Sequence, residues 1–165
     1  MEYVYIGKIV NTHGIKGELR IRSDFERKEQ IFKPGFVLYV GEGHIPEEIV
    51  TYRRHKVFDM VTFKGYDNIN QVLNYLKMNV YVKREDLELS DDDYLLEDLK
   101  DLDVVENGEL FGKVTDIVYN GSNILLYVSG EKDFYIPYNE HYIKKVNLKD
   151  RKIEVKDAKG LILWK

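Results

Sequence analysis

Four segments of this 165-residue chain bring together side chains that could do chemistry. The densest is Thr12-His13-Gly14-Ile15-Lys16-Gly17-Glu18. Its two glycines permit positive φ and close backbone approach, and with His13 they shape the loop. A phosphate-cradling P-loop needs Lys and then Ser/Thr directly after its second glycine; Glu18 stands there instead, which excludes a Walker loop. Two readings remain: a tight turn between strands, or a contact loop for RNA or protein with Lys16, Arg20 and Arg22 projecting nearby. The second segment, Arg53-Arg54-His55-Lys56, is a basic tetrad between two strand candidates. At a hairpin tip it is either a solvated turn or a grip on phosphates. The third, Asp91-Asp92-Asp93, lacks the spacing of an EF-hand and reads as an acidic linker. The fourth, Tyr94-Leu95-Leu96-Glu97-Asp98-Leu99, follows that linker at once. It either closes the bottom of a second barrel or forms a docking patch, where an aromatic anchor can contribute upwards of about 2 kcal/mol.

Catalytic patterns are missing from the sequence. The histidines His13, His44, His55 and His141 form no H-x-x-x-H or H-E-x-x-H pair, so no metal site is expected. No G-x-S-x-G nucleophile elbow exists. Gly41-Glu42-Gly43 is only half of a dinucleotide fingerprint. The chain has no Cys, which excludes disulfides, thiolate nucleophiles and Cys-based zinc sites.

The elements that must position these segments are mostly strands. Tyr3–Val10 is an apolar, β-rich run broken by the His13–Gly17 loop. Glu18–Arg22 alternates polar and apolar residues, as a half-buried strand does. Strands follow at Phe36–Val40, Glu48–Arg53 and Val57–Phe63. Ile69, Val72, Leu73 and Leu76 then change the period to i, i+3, i+4, i+7, which predicts a short helix capped by Asp67. Asn79–Val82 returns to strand. Further strands are expected at Val104–Glu106, Leu110–Tyr119, Ile124–Val128, Phe134–Pro137 and Lys152–Val155. Asn107-Gly108 between the first two of these is a hairpin signal. The reading is mainly all-β: two small barrels joined by a short acidic linker, with one or two short helices. The expected domains are 1–86 and 94–165, with a linker at 87–93.

Charge separates the two halves. Residues 1–88 carry 14 Lys/Arg against 13 Asp/Glu, a net +1; residues 89–165 carry 11 against 16, a net −5. A total of −4 argues against coating nucleic acid by bulk attraction. The asymmetry makes the first half the better candidate for touching RNA and the second the better candidate for meeting a basic protein. No signal peptide and no apolar run of membrane length is visible, so a soluble cytoplasmic location without a membrane contact is expected.

Read together, these residues resemble the RimM family of bacterial ribosome maturation factors. The opening Ile6-Gly7-Lys8-Ile9-Val10-Asn11-Thr12-His13-Gly14-Ile15-Lys16-Gly17-Glu18-Leu19 carries the family's H-G-I-K-G-E core. Asp93–Leu99, Gly112-Lys113-Val114 with Ile117, Asn123–Val128, Ile136-Pro137-Tyr138 and Gly160-Leu161-Ile162 follow in family order. The resemblance implies an N-terminal barrel like that of translation factors and a C-terminal barrel of the PRC type. It implies a non-catalytic assembly factor without a cofactor, expected to be monomeric. Its partners would be the small-subunit precursor, the small-subunit ribosomal protein numbered nineteen and the rRNA of the subunit head. The alternative on residue chemistry is a flavin- or nucleotide-dependent split-barrel enzyme. The family's tyrosine-rich segment often reads Tyr-Tyr-Trp and is implicated in ribosome binding; here Tyr94, Leu95 and Leu96 stand there, and Asp101 replaces a common Gly. The protein-docking set implied is thus Tyr94, Leu95, Leu96 and Asp98. The RNA-contacting set is Lys16, Arg20, Arg22, Arg53 and Arg54.

Overall fold

The computed structural model describes residues 2–163; residues 1, 164 and 165, the outer ends of the two expected domains, lie outside the described residues. The chain divides into two compact units, residues 1–91 and 92–165.

The first unit is a closed six-stranded barrel. Its strands are β1 (Tyr3–His13), β2 (Glu18–Arg22), β3 (Val37–Val40), β4 (Ile45–His55), β5 (Phe58–Phe63) and β6 (Asn79–Lys83), and they pair in the order β1-β2-β5-β4-β3-β6. Closure leaves no free sheet edge. Val4, Ile6, Ile9, Leu19, Ile21, Leu38, Val40, Val61, Phe63, Val80 and Val82 are buried, in keeping with a filled interior. β1 carries two register shifts, between Tyr5 and Gly7 against β6 and between Ile9 and Asn11 against β2. Each inserts a residue and resets which face the following side chains occupy. Gly7 sits in one of them, where a Cβ would lie 2.5 Å from the Arg22 carbonyl oxygen.

A short helix, α1 (Lys28–Ile31), docks by burying Ile31 and through charge. Lys28 Nζ donates to Asp59 Oδ2 at 2.8 Å, and the Tyr52 hydroxyl donates to Asp59 Oδ1 at 2.7 Å. Asp59 is fully buried, so these partners replace its lost hydration. Burial, then the bond to Asp59, pushes the Tyr52 phenol up to about 12. Glu47 is also buried and accepts from the hydroxyls of Tyr66 and Tyr75.

The helix predicted at 69–76 is replaced by two 3-10 turns, Ile69–Gln71 and Leu73–Tyr75. Their cap is Asn68, whose side chain accepts from the Asn70 amide at 2.8 Å, rather than Asp67. Val72 and Tyr75 are buried while Leu73 is exposed, a spacing of three that suits the 3-10 turn.

The second unit is a six-stranded sheet: β7 (Asp103–Glu106), β8 (Glu109–Asn120), β9 (Asn123–Ser129), β10 (Phe134–Pro137), β11 (Ile143–Asn147) and β12 (Lys152–Val155). They pair in the order β10-β9-β8-β7-β12-β11, with β7 and β12 parallel and the rest antiparallel. The hydrogen-bonded order therefore has two ends, β10 and β11. One apolar core joins Leu96, Leu99, Leu102, Val104, Val114, Leu126, Val128, Phe134, Ile136, Ile153 and Val155. The β7–β8 turn has Asn107 at φ 50° and Gly108 at φ 84°, the conformation that an Asn-Gly hairpin adopts. β11, which the sequence reading missed, carries a register shift between Ile143 and Lys145 that breaks its polar–apolar alternation. A final short helix, α2 (Lys159–Leu163), follows β12.

Candidate functional sites

The glycine loop and the basic tetrad are separate in sequence but meet at one end of the first barrel. β1 and β2 are joined by the loop, β4 and β5 by the tetrad's turn. Gly14 and Gly17 have φ of +72° and +88°, which side chains rarely adopt. The Ile69 amide donates to the Ile15 carbonyl at 2.9 Å, and a Cβ on Gly17 would lie 3.3 Å from the Asn68 amide nitrogen. Thus the 3-10 segment supports the loop from below and leaves Ile15, 77% exposed, and Lys16 at its tip.

Around the loop the charges are arranged in pairs. Arg53 donates to both carboxylate oxygens of Glu18, at 2.8 and 2.9 Å. That bond holds the Glu18 carboxyl below the usual range, against the opposing effect of burial. Arg20 Nη2 donates to His13 Nδ1 at 3.3 Å, and the Arg20 guanidinium lies 5.0 Å from the centre of the Phe58 ring. The His13 and His55 rings meet edge to face at 5.7 Å. Desolvation and then the neighbouring basic groups Arg53, His13, Lys56 and Arg20 lower the affinity of His55 for a proton. Arg54 pairs with Asp59 at 3.5 Å.

Of the five expected RNA-contacting cations, then, Arg53 is paired with Glu18, Arg54 shares the Asp59 carboxylate with Lys28, and Arg20 is braced by His13 and Phe58. Lys16 and Arg22 are exposed and form no ion pair among the described residues. Two further exposed, unpaired cations join them: Lys8, opposite Arg22 across β1 and β2, and Lys56 at the hairpin turn. Lys8 lies inside an apolar run, and alternation in the sequence gave no cue to its outward direction.

The second candidate site lies in the other unit. Leu95 and Leu96 do not form a docking surface: they are 0% and 4% exposed, and Leu96 belongs to the apolar core. The 3-10 turn Leu96–Leu99 places Leu96 and Leu99 inward together, and the Asp98 carboxylate accepts from the Leu95 amide at 2.8 Å. Two apolar side chains beside a forming core gain more from burial than from exposure, at roughly 1.5–3 kcal/mol each. Tyr94 is the member of this segment that reaches a surface feature. It lines a cleft of about 220 Å³ with Tyr138, Asn139, Glu140 and Ile143. The Tyr94 and Tyr138 hydroxyls share a hydrogen bond of 2.5 Å. Tyr138, Asn139 and Glu140 lie far from Tyr94 in sequence, and only the Ile136-Pro137-Tyr138 motif hinted at that side of the cleft. Among the described residues no group of three or more His, Cys, Asp or Glu side chains could hold a metal ion, and no helix is long and apolar enough to cross a membrane.

Comparison with known proteins covers both units. Residues 4–87 match the family model of the RimM N-terminal domain, and residues 96–161 match that of the RimM PRC barrel domain. A protein of Staphylococcus haemolyticus named ribosome maturation factor RimM is 36% identical, covering 96% of this chain and 98% of its own length. Proteins of the same name from Ligilactobacillus salivarius and Bacillus subtilis are 40% and 38% identical, covering 98% and 95% of this chain and 99% and 95% of their own. A solved structure described as a 16S ribosomal RNA processing protein RimM from Pseudomonas aeruginosa covers 96% of this chain and 99% of its own at a TM-score of 0.43 and 21% identity. With both family models matched in order and full-length relatives above one-third identity, the chain belongs to the RimM family.

Proposed function

We propose that this protein is a non-catalytic ribosome assembly factor that binds the immature small ribosomal subunit and assists maturation of its head and processing of its rRNA. The observation that carries the reading is the segregation of two unlike surfaces on two units. Among the described residues Lys16 and Lys56 stand unpaired at the loop end of the first barrel, and Lys8 and Arg22 stand unpaired at the far end of the β1–β2 ladder. The tyrosine-lined cleft of the second unit includes Glu140 and follows the run Asp91-Asp92-Asp93. In this reading the cations meet rRNA phosphates, which fix register without reading sequence. The cleft at Tyr94 and Tyr138 receives a basic ribosomal protein, the one numbered nineteen in the small subunit. The relatives' name, ribosome maturation factor, supports the same direction.

Binding alone suffices as a mechanism. A ligand shifts a conformational equilibrium only by its differential affinity for the two states. The factor therefore holds an intermediate form of the subunit head more tightly than the mature form and leaves when the difference vanishes. Two modest contacts on one chain add avidity without either being strong. The protein acts as a monomer in the cytoplasm. Affinity capture of small-subunit precursors and of mature subunits from the same extract tests this. Precursors are expected to be retained selectively. Equal retention of both, or of neither, refutes the proposal.

A further inference from the structure

We infer that the outer face of the first barrel carries an aromatic and basic track for single-stranded RNA, in which Tyr5 and Tyr81 stack unpaired bases while Lys8 and Arg22 hold the adjoining phosphates. The inference deepens the RNA-binding reading above and rests on it; it adds the strandedness of the ligand and the residues that read it.

The two register shifts of β1 create the track. Val4, Ile6 and Ile9 are buried, while Tyr5, Lys8 and Asn11 are exposed. Simple alternation from Tyr5 would turn Gly7 and Ile9 outward; the shift after Tyr5 sends Lys8 outward instead. Cross-strand register then sets these residues in rows. Tyr5 lies opposite Tyr81 on β6, and Tyr81 lies opposite Tyr39 on β3. Tyr3 lies opposite Lys83. Lys8 lies opposite Asn79 on one side and Arg22 on the other.

The rings form one continuous group. Tyr5 and Tyr81 meet edge to face at 6.0 Å, and His44 meets Tyr81 at 4.8 Å. His44 in turn stacks flat on Tyr3 at 3.8 Å, and Tyr3 meets Tyr39 at 5.3 Å. Lys83 lies over the Tyr39 ring at 5.0 Å. Tyr39 and Tyr3 are thus committed to one another and to their neighbours, and they brace the group from behind. Tyr5 remains 51% exposed at its open end, beside the Lys8 and Arg22 row. An aromatic face of this kind on an outward sheet surface is costly to leave in water, and every nucleobase offers a matching π-face.

The charges favour nucleic acid over an apolar peptide. Lys8 and Arg22 have no acidic partner among the described residues. The nearby acids are Glu42, which accepts from the Tyr81 hydroxyl at 3.2 Å, Asp24 within electrostatic reach of Tyr5, Glu85 within electrostatic reach of Lys83, and Glu2, which is paired with Arg84. With its two inserted residues discounted, β1 advances about 20 Å from Tyr5 to His13 at roughly 3.3 Å per ladder step, and it ends at the loop that carries Lys16. That length suits a short stretch of about four nucleotides, the lower end of what a single barrel accommodates. A duplex is disfavoured because its bases are already stacked and cannot lie on the rings.

The test uses the full chain with fluorescein-labelled single-stranded RNA octamers and a hairpin duplex of equal length, read by anisotropy. Expected is preference for the single strand. Tyr5→Leu and Tyr81→Leu keep apolar bulk but remove the π-face, and each should weaken single-strand binding by about 5- to 150-fold. Tyr5→Phe should bind like the parent. Lys8→Gln with Arg22→Gln should lower the salt dependence of binding by about 1.4 in slope, which the Leu variants should not do. Thermal melts of each variant confirm that the barrel is folded. Equal affinity for duplex and single strand, or unchanged binding by both Leu variants, overturns the inference. Capture of small-subunit precursors is measured in parallel. If the parent captures precursors but binds no octamer, this inference fails while the assembly role stands; if it captures no precursors, the assembly role itself fails.

Discussion

Leu96→Ala separates a structural from a recognition role for the segment after the acidic run. The side chain is 4% exposed and packs in one core with Leu99, Leu102, Val104, Val114 and Phe134. Truncating a buried Leu to Ala costs about 2–5 kcal/mol, the spread depending on how far the cavity collapses. A domain of roughly 70 residues holds only about 4–11 kcal/mol of stability in total. A loss near 3 kcal/mol should therefore lower the melting temperature of the second unit by about 12–24 °C. The assay is thermal and urea denaturation followed by hydrogen exchange of peptides spanning 96–128, so that the second unit is watched by itself. Tyr94→Phe is the companion variant: it removes one hydroxyl of the pair with Tyr138 and keeps the ring in the cleft. It should cost no more than about 1.5 kcal/mol. Any loss of subunit binding in Leu96→Ala should follow the unfolded fraction and recover on cooling. If Leu96→Ala abolishes capture of small subunits while its stability stays within about 0.5 kcal/mol of the parent, Leu96 is a contact residue and the burial argument is refuted.

Other expectations follow from close contacts and from buried acids. Gly112→Ala should destabilise the β8–β9 pair by more than about 2 kcal/mol in urea titrations, because φ is +146° and the new Cβ would lie 2.3 Å from the Ser129 carbonyl oxygen. Glu47→Leu should destabilise the first barrel more than Glu47→Gln, since Leu leaves the Tyr66 and Tyr75 hydroxyls without an acceptor and Gln offers one; equal melting temperatures would contradict this. The Tyr52 phenol is raised from 10.0 to about 12, so its folded form keeps a proton that the unfolded chain loses. Its contribution to stability is complete below pH 10 and disappears as the pH rises through about 12, and a Tyr52→Phe variant should lose that part of the alkaline decline. Glu18 has the opposite sign: its pKa is lowered chiefly by Arg53, so its contribution is present above the normal carboxylate range and is lost as acid titrates the folded value. An acid melt of Glu18→Gln with a weaker pH dependence than the parent would bear this out.

Local chemistry made much of the protein legible without coordinates. Strand content follows from Val, Ile and Tyr in short runs between turn residues. The positions of Gly14, Gly17 and Asn107-Gly108 follow from the positive φ that those turns require. The uneven charge of the halves is a count. Each of these depends on residues within a few positions of one another. What lay beyond local reach depends on where a third or fourth segment comes to rest. Ile69–Leu76 satisfied a helical period, yet the chain tightens into 3-10 turns that bury Val72 and Tyr75 and support the glycine loop. Leu95 and Leu96 could have been surface or core, and only the arrival of β7, β8 and β9 makes Leu96 core. Arg53 and Glu18, 35 residues apart, become partners because β5 lies between β2 and β4. Most of all, the outward direction of Lys8 hangs on one inserted residue in β1. The period-two pattern of a strand specifies its faces only while the register is unbroken, and the register is set by the neighbouring strands.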